Sequence, residues 1–383
     1  YIVSPVERNT GLPTHVIDND GVKILKVKTL NIQKTNVVEK GIGTLLVEKQ
    51  YKSAIKKHLK NIDFDLIIYS TPPITFTNVV RALKKQNSRS ISYLLLKDIF
   101  PQNAVDIGMF SKSSLFYKYF RKKEIELYKV SDYIGCMSPA NVKFVLEHND
   151  FISPDRVEVA PNSIELNHTE EIFRKPHDCN SVEGGGIRLK YGLPPDKPIL
   201  IYGGNLGKPQ GIDFLIRCLD ENKERKDCFF VIVGNGTEYH KIEDWINKTN
   251  NKRDNGVELN VRLIQRLPTD DYDKLVRTCD IGLIFLDYRF TIPNYPSRLL
   301  SYIRNKMPVI CATDSITDIG RIAEENGYGY WCESRNPADF TALVDKMLKS
   351  EIKQMGEKGY QFLCQNYLVE HTYHSIMKHF NHV

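Results

Sequence analysis

A strand-like run, Pro198-Ile199-Leu200-Ile201-Tyr202, leads into Gly203-Gly204-Asn205-Leu206-Gly207-Lys208-Pro209-Gln210-Gly211, and an amphipathic helix begins near Ile212. Glycines let a backbone pass close to a phosphate, the N–H groups of a helix's first turn point at an anion, and Lys208 supplies a full positive charge. The spacing predicts a nucleotide-phosphate site; the alternative is a strand-to-helix turn that uses glycine for geometry alone. A second turn, Val233-Gly234-Asn235-Gly236-Thr237, lacks the third glycine of a dinucleotide fingerprint and argues against hydride transfer. Further on, Tyr295-Pro296-Ser297-Arg298-Leu299-Leu300-Ser301-Tyr302 enters a helix through proline. Such an entry is expected to leave the N–H groups of Ser297, Arg298 and Leu299 free, so Ser297 and Arg298 become diphosphate ligands unless Ser297 is only a cap and Arg298 a solvated side chain.

Other groups have ordinary explanations. Asp271-Tyr272-Asp273 matches a metal-holding D-x-D pattern, but acids in a first helical turn behind Thr269 are stabilised without metal, and no metal is expected. His371, His374, His379 and His382 have no Cys or carboxylate partner nearby in sequence and read as surface histidines. Residues 110–123 mix Phe110, Leu115, Phe116, Tyr119 and Phe120 with Lys112, Lys118, Arg121, Lys122 and Lys123. Phe116, Phe120 and Leu127 fall on one helical face beside the basic residues, which suits an anionic membrane leaflet, or a helix packed on a sheet with a lysine edge.

These residues need elements to hold them. Up to about residue 165, β-rich runs at 22–27, 66–69, 91–96 and 133–137 alternate with helical patterns at 42–60, 76–86, 114–130 and 139–148, which predicts βαβ units and a parallel sheet. Polar residues and Gly184-Gly185-Gly186 mark a linker at 166–190. From 198 onward, strands at 198–202, 228–233, 260–264, 281–286, 308–311 and 328–332 alternate with helices and predict a doubly wound sheet, whose ligands bind beyond the carboxyl ends of the strands. The expected division is an N-terminal domain over 1–165, the linker, a C-terminal domain over 191–366 and a closing segment over 367–383.

A length of 383 residues suits two domains, each with its own core. With 53 Lys+Arg against 47 Asp+Glu, the charge of +6 is too mild for nucleic acid and compatible with an anionic ligand or membrane surface. Eight scattered cysteines without a C-x-x-C pair predict reduced thiols and a cytoplasmic setting, and no run reaches the roughly 20 apolar residues of a membrane span. The chain opens at Tyr1 without an initiator Met, so a preceding segment is expected.

Taken together, Gly204 to Asp213, Val231 to Gly236, Asp280-Ile281-Gly282-Leu283, and Pro296 to Tyr302 with Pro308-Val309-Ile310 resemble glycosyltransferase family 4, and most of all its branch building bacterial capsule, O-antigen or exopolysaccharide. The N-terminal half is similar less sharply, through Lys97 to Pro101, Met137 to Asn141 and Pro161-Asn162-Ser163. The resemblance implies a GT-B fold: two Rossmann-like α/β domains facing across a cleft, the donor held by the C-terminal one, the acceptor by the N-terminal one, and a last helix crossing back. It implies a hexosyltransferase that moves a sugar from a nucleotide diphosphate donor, UDP-linked by expectation, to a lipid-linked glycan or polyprenyl carrier, metal-independent and retaining, with no further cofactor. Closure over the donor, hinged at the linker, goes with it. The donor-binding set so implied is Gly204, Asn205, Leu206, Gly207, Lys208, Gln210, Gly234, Asn235, Gly236, Arg266, Leu267, Pro296, Ser297, Arg298, Leu299 and Ser301. Asn205 and Gln210 stand where many relatives carry Arg and Lys, which leaves Lys208 and Arg298 to supply the charge. Pro293 and Ser301 replace two glutamates of the family. In the acceptor domain Lys97-Asp98 replaces a His-acid pair, and Asp98 is the candidate to take the acceptor's proton or steady the sugar's developing charge; its alternative is to cap the following turn. The family's first strand, glycine-rich acceptor loop and first helix are expected to precede Tyr1. The rivals are a nucleotide-sugar 2-epimerase, whose acid and His set is not found, and a non-catalytic scaffold that binds nucleotide sugar.

Overall fold

In the computed structural model, residues 1–31, 37–166, 182–251 and 259–380 are described. Contacts divide the chain into two units, one of Tyr1–Cys136 with Val145–Val159, the other of Met137–Phe144 with Ala160–Val383. The Ser-Pro-Ala-Asn stretch at 138–141, which the sequence assigns to the N-terminal domain, thus belongs with the second unit, as does the closing segment. Most of the expected linker lies outside the described residues. Its end is helical.

The second unit is a six-stranded parallel sheet. Its strands are β8 (Ile199–Asn205), β9 (Phe229–Asn235), β10 (Val261–Ile264), β11 (Ile281–Phe285), β12 (Val309–Thr313) and β13 (Gly329–Glu333). They lie in the order β10-β9-β8-β11-β12-β13, all pairs parallel. Numbered within the unit this is 3-2-1-4-5-6, so the order reverses between β8 and β11, and the loops leaving those two strands are where a ligand of such a sheet sits. Alternation along the strands builds two cores. Leu200, Tyr202, Phe230, Ile232, Leu283 and Phe285 face one way with Phe214, Leu215 and Phe340. Ile199, Ile201, Val231, Val233 and Ile284 face the other with Leu275, Val276, Leu299 and Tyr302. Strands buried on both faces read as continuous apolar runs, which is why this half is so legible.

Helix α6 (Val182–Lys190) forms where the sequence predicts a linker. Three glycines oppose it, and tertiary contacts override them. Ile187 is buried, and the Arg188 guanidinium donates to Thr278, Pro194, Pro195 and Lys197 carbonyls while pairing with Asp280 at 3.3 Å.

The first unit holds a four-stranded parallel sheet ordered β4 (Leu66–Ser70), β5 (Ile91–Leu96), β6 (Tyr133–Cys136), β7 (Val157–Val159). A second sheet, β1 (Ile2–Glu7), β3 (Val22–Thr29) and β2 (His15–Asn19), joins β1 parallel and β2 antiparallel to β3. Asp20 and Gly21, both at positive φ, make the two-residue hairpin turn, a signal the alternation of longer elements hides. Helix α1 (Val37–His58) packs Val47, Tyr51, Ala54 and Ile55 on Leu25 and Val27 of β3 and on Val79 of α2 (Thr77–Gln86). Next come α3 (Gln102–Asp106), α4 (Leu115–Val130) and α5 (Pro139–Glu147). The apolar face expected on α4 is split: Phe120 stacks on Phe100 at 5.0 Å and Leu127 is buried, whereas Phe116 points to solvent. Among the described residues no helix is long and apolar enough to cross a membrane.

Candidate functional site

In the second unit the loop after β8 runs through a short 3-10 turn at Lys208–Gln210 into α7 (Ile212–Asn222). The loop after β11 runs through Pro296 into α10 (Arg298–Arg304). The two loops meet. Asp287 N–H donates to the Pro209 carbonyl at 3.0 Å, the Tyr302 hydroxyl accepts from Gly203 N–H at 3.0 Å, and the Arg298 guanidinium lies 4.3 Å from the Tyr202 ring centre. Gly204, at φ +141, passes beside that guanidinium: a Cβ there would sit 3.1 Å from Nη2. The Nη1 of Arg298 is buried with no hydrogen-bond partner among the described residues. A buried charged donor without an acceptor costs several times what a surface one does, and an anionic ligand removes that cost. The phenols of Tyr202, Tyr272 and Tyr302 wall the guanidinium; desolvation works against its charge, and those rings outweigh it.

Several expected ligands have other work. Leu206 and Leu299 are fully buried, and their N–H groups are spent on the Asn235 and Pro296 carbonyls at 3.0 and 3.2 Å. Gly207 N–H and the Asn205 amide both donate to Gln210 Oε1, at 3.2 and 3.1 Å, so Asn205 and Gln210 hold the loop to itself. Most N–H groups of the glycine loop are thus spent within the protein, that of Lys208 excepted among the described residues. What it offers is the start of α7, where Ile212 and Asp213 have no backbone acceptor among the described residues, and the exposed Lys208. Gly234 and Gly236 serve close approach: a Cβ on Gly234 would lie 1.8 Å from the Gly204 carbonyl oxygen, and one on Gly236 2.3 Å from that of Leu206. The second turn buttresses the first, with Asn235 Oδ1 accepting Gly236 N–H at 2.8 Å. Ser297 is exposed and caps nothing, Ser301 gives its carbonyl to Asn305, and Arg266 is exposed after β10 while Leu267 packs on the core. Pro293 presents its carbonyl to Asn141 Nδ2 at 2.9 Å.

Asp271, on α9 (Thr269–Arg277), bonds Lys190 Nζ at 2.6 Å and the Tyr191 hydroxyl at 2.5 Å. Thr269 is the first helical residue rather than the cap, a position Pro268 takes. What the D-x-D reading misses is the residue in its middle: the Tyr272 hydroxyl stands where a Cβ on Gly203 would be. Tyr302 also escapes notice, although its i+4 spacing from Arg298 puts both on one helical face. Among the described residues no three His, Cys, Asp or Glu side chains gather as metal ligands, and His371 and His374 bond the Cys364 and Glu370 carbonyls. Seven cysteines are free thiols, six of them buried; Cys179 and His382 lie outside the described residues.

In the first unit Lys97 and Asp98 sit at the carboxyl end of β5. The Thr71 hydroxyl, from the end of β4, accepts both their N–H groups at 3.0 Å. Burial raises the Asp98 carboxyl above its usual range against an opposing hydrogen bond from Asn103, and burial lowers the Lys97 amine to about 8.

Residues 186–362 match the family model described as glycosyl transferases group 1. They form a group 1 glycosyltransferase domain. Of curated relatives, WbjE of Pseudomonas aeruginosa, described as a probable glycosyltransferase, is 24% identical over 72% of this chain and 64% of that protein. WcaI of Escherichia coli (strain K12), named as a candidate glycosyl transferase of colanic acid biosynthesis, is 24% identical over 43% of this chain and 38% of that protein. The chain thus spans less than two thirds of either relative's length. The E. coli trehalose-6-phosphate protein solved with UDP-2-fluoro glucose aligns with 98% of this chain and 91% of its own at TM-score 0.72 and 11% identity. The group 1 domain and the likeness in fold over nearly the whole chain agree with the resemblance carried by the four motifs, and the fold is GT-B.

Proposed function

We propose that this protein binds a nucleotide diphosphate sugar, UDP-linked, in its second unit and transfers the sugar to a lipid-linked glycan or polyprenyl carrier in bacterial surface polysaccharide synthesis. The observation that carries the reading is the buried, unpartnered Arg298 Nη1 beside Gly204 at the point where the strand order reverses. A diphosphate there accepts from Arg298, meets the start of α7 and gains Lys208 at its rim. As the bond from the sugar to the β-phosphate breaks, negative charge grows on the departing diphosphate, and fixed donors in a dry setting stabilise it more in the transition state than in the ground state. Asp98 takes the acceptor hydroxyl's proton or steadies the positive charge at the anomeric carbon, and retention of configuration is the stereochemistry we propose. The UDP-sugar analogue bound by a structural neighbour and the colanic acid description of WcaI support donor and pathway class. The cytoplasmic leaflet is the proposed place of work, with α4 and the basic residues of 110–123 as the docking element.

The pairing of Asn205 with Gln210 favours a second reading, a scaffold that holds nucleotide sugar without turnover. Donor hydrolysis separates the two. Slow UDP release that Asp98→Ala abolishes supports transfer; UDP binding without release on any acceptor supports the scaffold. A melting screen with UDP, GDP, CDP and dTDP tests the donor, since a ligand at 100 times its Kd adds about 2.7 kcal/mol to the native state. A shift with GDP or dTDP but none with UDP overturns the UDP assignment.

A further inference from the structure

The first unit exposes an apolar strip on a helix to which donor binding and the residues 110–123 give no role. On α1, Ile42, Leu45 and Leu46 are 48%, 52% and 39% exposed, at i, i+3 and i+4. On α4, Leu115, Phe116 and Tyr119 are 81%, 69% and 42% exposed. The two strips lie at the same end of the unit. Helix α2 joins the parallel neighbours β4 and β5, and the chain from β5 to its parallel neighbour β6 runs through α4, so right-handed crossovers put both helices on one face of the sheet. Their ends adjoin, because Lys84 of α2 grips Asp132 just past α4 at 2.7 and 2.6 Å. Helix α1 runs the same way as α2. Gln86 of α2 donates to the Lys60 and Ile62 carbonyls beyond the end of α1, and Glu48 of α1 accepts from the Asn78 side chain at 3.0 Å near the start of α2. Counting back along both helices from the Lys84–Asp132 contact, at the rise of an α-helix, brings Lys123 of α4 near the level of Asn78. Glu48, Asn78 and Lys123 therefore mark one level. At 1.5 Å per residue, α1 and α4 each continue roughly 12–15 Å past it, while α2 stops there. Among the described residues Ile42, Leu45, Leu46, Leu115, Phe116 and Tyr119 stay exposed there.

Among the described residues the charge around this strip is mainly positive, and Glu39 on the first turn of α1 is paired with Arg8. Lys49 and Lys52 on α1 and Lys112, Lys118 and Lys122 about α4 are exposed, while Glu48 is held at the start of α2. Apolar side chains rimmed by lysine at a helix's outer end match an anionic phospholipid surface in depth and in sign.

We propose that α1 and α4 together form the face that docks on an anionic bilayer, with Ile42, Leu45 and Leu46 as one half of the inserted surface. This rests on the reading of α4 as a docking element and extends it to a helix with no basic-aromatic signal of its own. The test is co-sedimentation of the full chain with phosphatidylglycerol/phosphatidylcholine vesicles and with pure phosphatidylcholine vesicles. The proteins compared are the wild type, the double variant Leu45→Glu/Leu46→Glu, and Phe116→Glu. All of these sites are solvent-exposed, so melting temperature and its UDP shift report that each variant is folded. The expected result is that the wild type prefers the anionic vesicles, and that both variants lose at least about tenfold in binding, as burial of charge in place of two leucines or one phenylalanine requires. If the α1 variant sediments like the wild type while Phe116→Glu does not, α4 docks alone and the proposal fails. If the wild type binds neither vesicle, the α4 reading fails with it. A dimer in solution that Leu45→Glu/Leu46→Glu dissolves assigns the face to a second copy and overturns the bilayer.

Discussion

One nitrogen of the Arg298 guanidinium is buried without an acceptor among the described residues, and the donor site proposed above depends on that group. Hydrogen bonds to a charged group contribute more than neutral ones, so Arg298→Gln is expected to weaken UDP binding about 10- to 100-fold by calorimetry, and Arg298→Lys to recover only part, since an ammonium cannot copy a guanidinium stacked on Tyr202. Asp98→Asn is expected to leave UDP affinity intact while turnover falls by at least about 100-fold, and wild-type turnover should decline as pH drops through the raised pKa of Asp98. Asp271→Asn should leave turnover unchanged with or without a chelator, because Lys190 and Tyr191 already occupy its carboxylate. Asp314 is a separate case. Its carboxyl is buried after β12, and desolvation lifts its pKa from 3.8 to about 6 despite bonds from Thr317 and Ile316. Between those values the folded state holds the proton and the unfolded chain does not, so stability is lost as pH rises. The stability of the wild type relative to Asp314→Asn should therefore fall by roughly 2 kcal/mol from pH 4 to pH 7 in chemical denaturation.

Among the elements, the doubly wound sheet was readable because its strands are apolar on both faces and glycine punctuates their carboxyl ends. The convergence of Gly204 and Arg298 could be expected from two helix beginnings on either side of one reversal in strand order. The uses of the loop's own groups could not. Whether Asn205 faces a phosphate or Gln210, and whether Leu206 N–H is free or bonded to Asn235, depends on the path of the neighbouring turn, which residue types do not encode. The helix at Val182–Lys190 was hidden for the same reason, since Arg188 finds its acceptors in segments far along the chain. Gly234 shows how tightly the two turns are fitted. Gly234→Ala puts a methyl into the Gly204 carbonyl, and a loss of roughly 1–3 kcal/mol in stability with weakened UDP binding is expected, measured by melting and calorimetry.

At the scale of the whole molecule, the chemistry of the two units differs in how far it lies from water. The cation proposed for the diphosphate is buried against a tyrosine ring, whereas the lysines around α1 and α4 stand in solvent. Ionic strength tells the two apart, because mobile counter-ions screen exposed charges within about 10 Å at 0.1 M and reach enclosed ones far less. Adding salt should therefore strip the protein from anionic vesicles while UDP stays bound, and the small decrement in nucleotide affinity that remains belongs to Lys208.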